Sequence, residues 1–174
     1  MPRAYKWEFK TAQRPDSALL AWLYKNYVLE CPVPGVSVQG KTFRDLGWKD
    51  YGFKTLEAQI KKQSTMASTH WKWLTDTGEE FIDGLKQEGI DEKYTLNQEF
   101  AIYAKGNRRK IEGLFYLIRN VLAHGSFRFH NAKAGQFLAL ETRNNERLRG
   151  RALLRVDSLR AWKTLLNESG EYIK

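Results

Sequence analysis

Cysteine is almost missing from this chain: Cys31 is the single one in 174 residues. An internal disulfide is therefore excluded, and a reducing, cytoplasmic setting is expected. Long apolar runs are missing too. No stretch approaches the roughly 20 apolar residues that a membrane span needs, and the opening Met1-Pro-Arg-Ala-Tyr-Lys-Trp shows no secretory signal. No membrane partner is expected. There is no internal repeat, low-complexity tract or obvious linker, which points to one domain over 1–174. Several chemistries lack their residues: no Gly-rich phosphate loop, no Ser-His-Asp order and no paired-carboxylate motif stands out. His124 and His130 have no nearby Cys or acidic cluster to complete a metal site, so neither metal nor cofactor is expected.

Hydrophobic residues make up 42% and aromatics 13%, a globular rather than disordered composition. The net charge of +9 is unevenly placed. Residues 1–100 carry 14 Lys/Arg against 14 Asp/Glu, and residues 101–174 carry 15 against 6, so the whole excess lies in the second part. A basic excess confined to one segment suggests a polyanionic partner contacted there. Charge alone does not separate RNA from DNA or from an acidic protein.

Pro15-Asp16-Ser17 reads as a helix start, running to about Leu29, and Cys31-Pro-Val-Pro-Gly35 breaks it. Residues 36–52 read as an irregular surface excursion, so 1–52 is an N-terminal helix plus excursion. Helical patterning resumes near Phe53. A longer helix is expected over about Ser68–Gln87 with Trp71, Leu74, Phe81 and Leu85 inward, and a short one over about Leu96–Lys105, stopped by Gly106. Asn107 is a suitable N-cap for the next helix, about Arg108–Ala123. That helix is the clearest in the chain. Ile111, Leu114, Phe115, Ile118, Val121 and Leu122 form one apolar stripe, and Glu112, Tyr116, Arg119, Asn120 and Ala123 a second. Gly125 suits the left-handed residue just beyond its end. Two strand-like runs follow, Gln136–Thr142 and Arg147–Val156, turning around Asn144-Asn145. Alternation puts Arg147, Arg149 and Arg151 on one strand face. Asp157 or Ser158 caps a last helix with Leu159, Trp162, Leu165 and Leu166 buried. The fold class read from this pattern is mainly α, a helical bundle with a small C-terminal β-hairpin, its basic, motif-bearing part over 95–174.

The segment Ile118-Arg-Asn-Val-Leu-Ala-His-Gly125 resembles the signature of the HEPN superfamily of helical domains. That signature is an Arg, a polar residue, three further residues and a His at the end of a long apolar helix. Arg119, Asn120 and His124 match it, and Gly125 with the basic hairpin is similar to small HEPN proteins of abortive-infection and toxin systems. The resemblance implies a HEPN-like bundle and a metal-independent endoribonuclease. It further implies a composite homodimer site, a 2′,3′-cyclic phosphate product, and an antitoxin or larger defence complex as partner. Ser126 stands where the nucleotidylated toxins of that family carry a tyrosine, which puts that mode of control in doubt.

The residue types suit RNA chemistry without the family. A 2′-hydroxyl attacks the adjacent phosphorus once a base takes its proton, and His124 offers an imidazole, the side chain best suited to serve as base or acid near neutrality. Arg119 would stabilise the charge gained in the transition state, and Asn120 would orient the histidine or hold a phosphate oxygen. Tyr116 and Glu112 share their stripe and are accessory candidates. Arg108, Arg109 and Lys110, with Arg147, Arg149 and Arg151, are candidates for gripping RNA phosphates; a triple basic run at a helix start opposes the dipole. On a regular helix, however, 119 and 124 lie about 140° apart, so one chain offers an incomplete site. The alternative from another class is a non-catalytic RNA- or protein-binding module.

Overall fold

The computed structural model describes residues 4–7, 16–66, 70–74, 79–87, 93–95 and 98–173. In chain order these form β1 (Ala4–Lys6), α1 (Ser17–Leu23), α2 (Gly52–Lys62), β2 (Trp71–Leu74), α3 (Glu79–Gln87), β3 (Lys93–Thr95) and β4 (Phe100–Ala104). They continue with α4 (Lys110–His124), β5 (Phe127–Ala132), β6 (Gly135–Asn144), β7 (Arg147–Arg155), α5 (Val156–Leu166) and α6 (Ser169–Tyr172). Strands β1 and β3 pair with each other, while the other five make one mixed sheet in the order β2-β4-β7-β6-β5. Within it β2 runs parallel to β4, and every other neighbour is antiparallel.

This sheet overturns the expectation of a mainly helical bundle with a small hairpin. The hairpin is real, but β6 and β7 are the middle of a larger layer rather than an appendage. The helix expected over Ser68–Gln87 is strand β2 followed by helix α3, with 67–69 and 75–78 outside the described residues. The one expected over Leu96–Lys105 is strand β4, with 96 and 97 likewise outside. The cause is burial. Phe100, Ala101, Ile102 and Tyr103 are all buried because both sheet faces are covered, so the period-2 alternation that marks a strand is erased.

The two covers differ in size. Ala101 and Tyr103, Leu138 and Leu140, Ala152 and Leu154 face a large core shared with α1, α2, α4 and α5. Phe100 and Ile102, Phe137 and Ala139, Leu148 and Leu153 face a smaller one with Phe81 and Leu85 of α3. The expected surface excursion is partly interior: Phe43 and Trp48 are buried, and Trp48 Nε1 donates to the Leu166 carbonyl at 2.9 Å. Asp16 caps α1 as expected, accepting the Leu19 amide at 2.9 Å, and the helix runs on as a π-helical stretch over Tyr24–Leu29. Leu159, Trp162, Leu165 and Leu166 are fully buried along α5, each contributing about 1.5–3 kcal/mol by transfer from water.

Helix α4 lies unusually close to the sheet, and two glycines allow it. A Cβ on Gly113 would meet Tyr103 Cε2 at 2.7 Å, and one on Gly150 would meet Leu117 Cδ1 at 2.8 Å. Tyr103 has no room to yield, since its hydroxyl accepts from Trp71 Nε1 at 2.8 Å and donates to the Lys110 carbonyl. Gly113→Ala should therefore lower stability by about 1–3 kcal/mol, although alanine is the better helix former. Urea denaturation checks this, and a stabilised variant would contradict the tight helix–sheet contact.

Candidate functional site

Helical spacing decides what α4 presents. Its core face carries Ile111, Leu114, Phe115, Ile118, Val121 and Leu122, all buried as the periodicity predicts. Gly113, Tyr116, Leu117, Asn120 and His124 recur at steps of three, one, three and four, so they share the opposite face. Along that face runs a cleft of about 420 Å³. Its far wall is the β6–β7 hairpin, through Thr142, Arg143, Asn144 and Arg149, and one end is the turn after β4, through Ala104, Lys105, Gly106 and Arg108. His124, the last residue of α4, is exposed, and Gly125 follows it in the left-handed conformation at φ 71°.

The cleft is basic. Lys105, Arg108, Arg143 and Arg149 line it, and among the described residues no Asp or Glu does. A concave surface with one sign of charge concentrates an anionic ligand. Arg149 reaches it through an irregularity in the sheet. Thr142 pairs with Gly150 and Arg143 with Leu148, so Arg149 is an extra residue bulged out of β7. It turns toward α4 with Gly150 and has no hydrogen-bond or ion-pair partner among the described residues. Arg143 is held more firmly: its Nε meets Glu141 at 2.7 Å and its Nη1 donates to the Glu146 carbonyl at 3.0 Å. The Arg108 guanidinium lies 3.7 Å from the centre of the Tyr116 ring, which fixes its plane.

The structure separates the sequence-predicted residues. Asn120, His124, Tyr116, Arg108 and Arg149 come together at the cleft. Arg119 does not. Its Nη1 donates to Asn120 Oδ1 at 2.9 Å, its Nε is shielded from solvent without a partner among the described residues, and its charge is felt by the Cys31 thiol. Burial nevertheless dominates there and pushes Cys31 up to about 11. Glu112 serves α4 itself, accepting the Arg109 amide at 3.0 Å, and borders a smaller hollow with Val33, Pro34 and Asn107. Arg109, not Asn107, is the N-cap residue of α4.

The expected basic grips divide in the same way. Arg109 covers the Phe53 ring at 4.3 Å, and Lys110 Nζ lies 4.2 Å from Trp71 and 4.0 Å from Trp73. Partial burial, with Lys61 nearby, pushes Lys110 down to about 8 against the pull of Glu57. Arg147 is exposed at the hairpin tip, where Asn145 and Glu146 take the positive φ values of the turn, one residue beyond the expected Asn144-Asn145. Arg151 is buried on the opposite sheet face, bonded to Glu141 at 2.8 Å and set against the Trp7 ring, and it does not line the cleft. The expected single face of Arg147, Arg149 and Arg151 fails because the bulge interrupts the alternation.

Lys105 and Arg143 were not singled out by sequence reasoning, and neither were the glycines that shape the cleft. Gly113 inside a helix and Gly150 inside a strand were the available signals, since both mark close backbone approach. Among the described residues no group of three or more His, Cys, Asp or Glu could hold a metal ion, and no helix is long and apolar enough to cross a membrane. No family model, curated protein or solved structure matches the chain.

Proposed function

We propose that this protein binds RNA in the cleft between α4 and the β6–β7 hairpin and cleaves it without a metal ion. The observation that carries the reading is the convergence of His124 and Asn120 with Arg108, Arg143 and Arg149 on one surface that no Asp or Glu among the described residues lines. His124 takes the proton of a 2′-hydroxyl, whose oxygen attacks the adjacent phosphorus. The bond from phosphorus to the 5′ oxygen breaks, leaving a 2′,3′-cyclic phosphate and a 5′-hydroxyl end. Arg149, free of other partners among the described residues, and Arg108 stabilise the charge on the non-bridging oxygens. DNA lacks the attacking hydroxyl and is not a substrate.

Two proton transfers are needed and the cleft holds one imidazole. The second falls to His124 of a second copy, in the homodimer that the Arg119-Asn120-x-x-x-His124 resemblance implies. The same resemblance is what suggests a role in defence or growth arrest, with an antitoxin or larger complex as partner. Incubating purified protein with total RNA in EDTA tests the reading. Fragments ending in a cyclic phosphate are expected, whereas DNA should stay intact. RNA retained without cleavage would instead favour the binding-module reading, which the position of Arg119 outside the cleft also supports.

A further inference from the structure

Arg119 and Asn120 are neighbours on α4, yet one lines the cleft and the other does not. We infer that Arg119 is a positioning residue: it holds the Asn120 amide so that its nitrogen faces the cleft as a donor to a phosphate oxygen. This rests on the reading of the cleft as a site for RNA phosphates.

Chemistry fixes the orientation. A guanidinium has N–H donors and no acceptor, so the Asn120 atom within 2.9 Å of Arg119 Nη1 is the carbonyl oxygen Oδ1. The other branch of the planar amide, Nδ2 with two N–H groups, is then the end left for the cleft that Asn120 lines. An amide without this neighbour rotates between its donor and acceptor ends. Held by Arg119 it is a fixed donor, matched to an anionic ligand and mismatched to a cation. Arg119 itself does not line the cleft. Its Nε is shielded from solvent, and its charge reaches the buried Cys31.

The side-chain amide of Asn120 reports this directly. In ¹⁵N-labelled wild type, its NH₂ resonances should shift on titration with inorganic phosphate, and in Arg119→Ala that response should shrink. Arg119→Gln keeps a neutral donor and should retain it. In RNA affinity, measured with a 2′-O-methyl oligonucleotide that cannot be cleaved, Arg119→Ala and Asn120→Ala should each lose about 10–100-fold. The double variant should lose no more than Asn120→Ala alone. Arg119→Gln should stay within about threefold of wild type, which a guanidinium contacting phosphate would not permit.

If wild type neither binds nor cleaves RNA, but the Asn120 response to phosphate depends on Arg119, the positioning stands and the ribonuclease reading falls. Phosphate responses equal in wild type and Arg119→Ala, or losses that multiply in the double variant, overturn the positioning even if RNA is cleaved.

Discussion

His124→Ala should lower the rate of RNA cleavage by about 10²–10⁴-fold while leaving RNA affinity within a few fold of wild type. The size follows from the role: proton transfer by a positioned side chain is the step removed, and the basic walls that bind phosphate are untouched. Nothing in the fold should compensate or collapse. His124 is exposed at the last position of α4, and Gly125 already terminates the helix with its left-handed backbone. Loss of the imidazole at the helix C-terminus costs at most about 1 kcal/mol. Thermal melts should therefore nearly coincide, and added imidazole should restore part of the activity. Cleavage at the wild-type rate by the variant would remove His124 from the mechanism.

Glu99→Ala should lower stability by about 3–5 kcal/mol, a large share of the 5–15 kcal/mol that such a domain has. Glu99 is wholly buried just before β4 and accepts four hydrogen bonds. Oε1 takes the Arg155 amide at 2.6 Å; Oε2 takes the Thr65 amide at 2.7 Å, the Ser158 hydroxyl at 2.9 Å and the Thr65 hydroxyl at 3.0 Å. The carboxylate thus joins the turn after α2 to the junction of β7 and α5. Arg155, the N-cap residue of α5, offers no side-chain cap, so a carboxylate about 56 residues away in sequence meets the helix start instead.

Alanine would leave those donors in the interior without an acceptor, at about 1–3 kcal/mol for each that water cannot reach. Glu99→Gln preserves the shape but turns an N–H toward donors, and an intermediate loss is expected. Urea unfolding of the three proteins decides the matter. A loss under about 1 kcal/mol for Glu99→Ala would mean that water replaces the carboxylate.

Glu99 was invisible to sequence reading, and so was the sheet it abuts. Helix α4 was legible because its signal is local: an apolar stripe at helical spacing, ended by Gly125 in the left-handed state that only a glycine adopts cheaply. The β6–β7 hairpin was legible for the same reason, with alternating apolar residues on either side of an Asn-rich turn. The alternation Phe127-Arg-Phe-His130 of β5 was also available, with Phe127 and Phe129 buried and Arg128 and His130 between them half-buried. Strands β2 and β4 gave no comparable signal, since a short apolar run buried on both faces reads equally well as helix.

For the site, the sequence by itself determined that Asn120, His124 and Tyr116 share a helix face, and that the second part of the chain carries the basic excess. Those are consequences of a fixed 100° step and of composition. Tertiary structure alone decided which cations are free to act. Arg149 is thrown into the cleft by a bulge that exists only against β6, whereas Arg151 is neutralised by Glu141, ten residues away along the chain but its neighbour across the strands. Arg119 and Lys110 are drawn off by Asn120 and by two tryptophans. Periodicity within one element depends on backbone geometry and can be read from spacing. Pairing between elements depends on which groups meet across space, and spacing does not encode that.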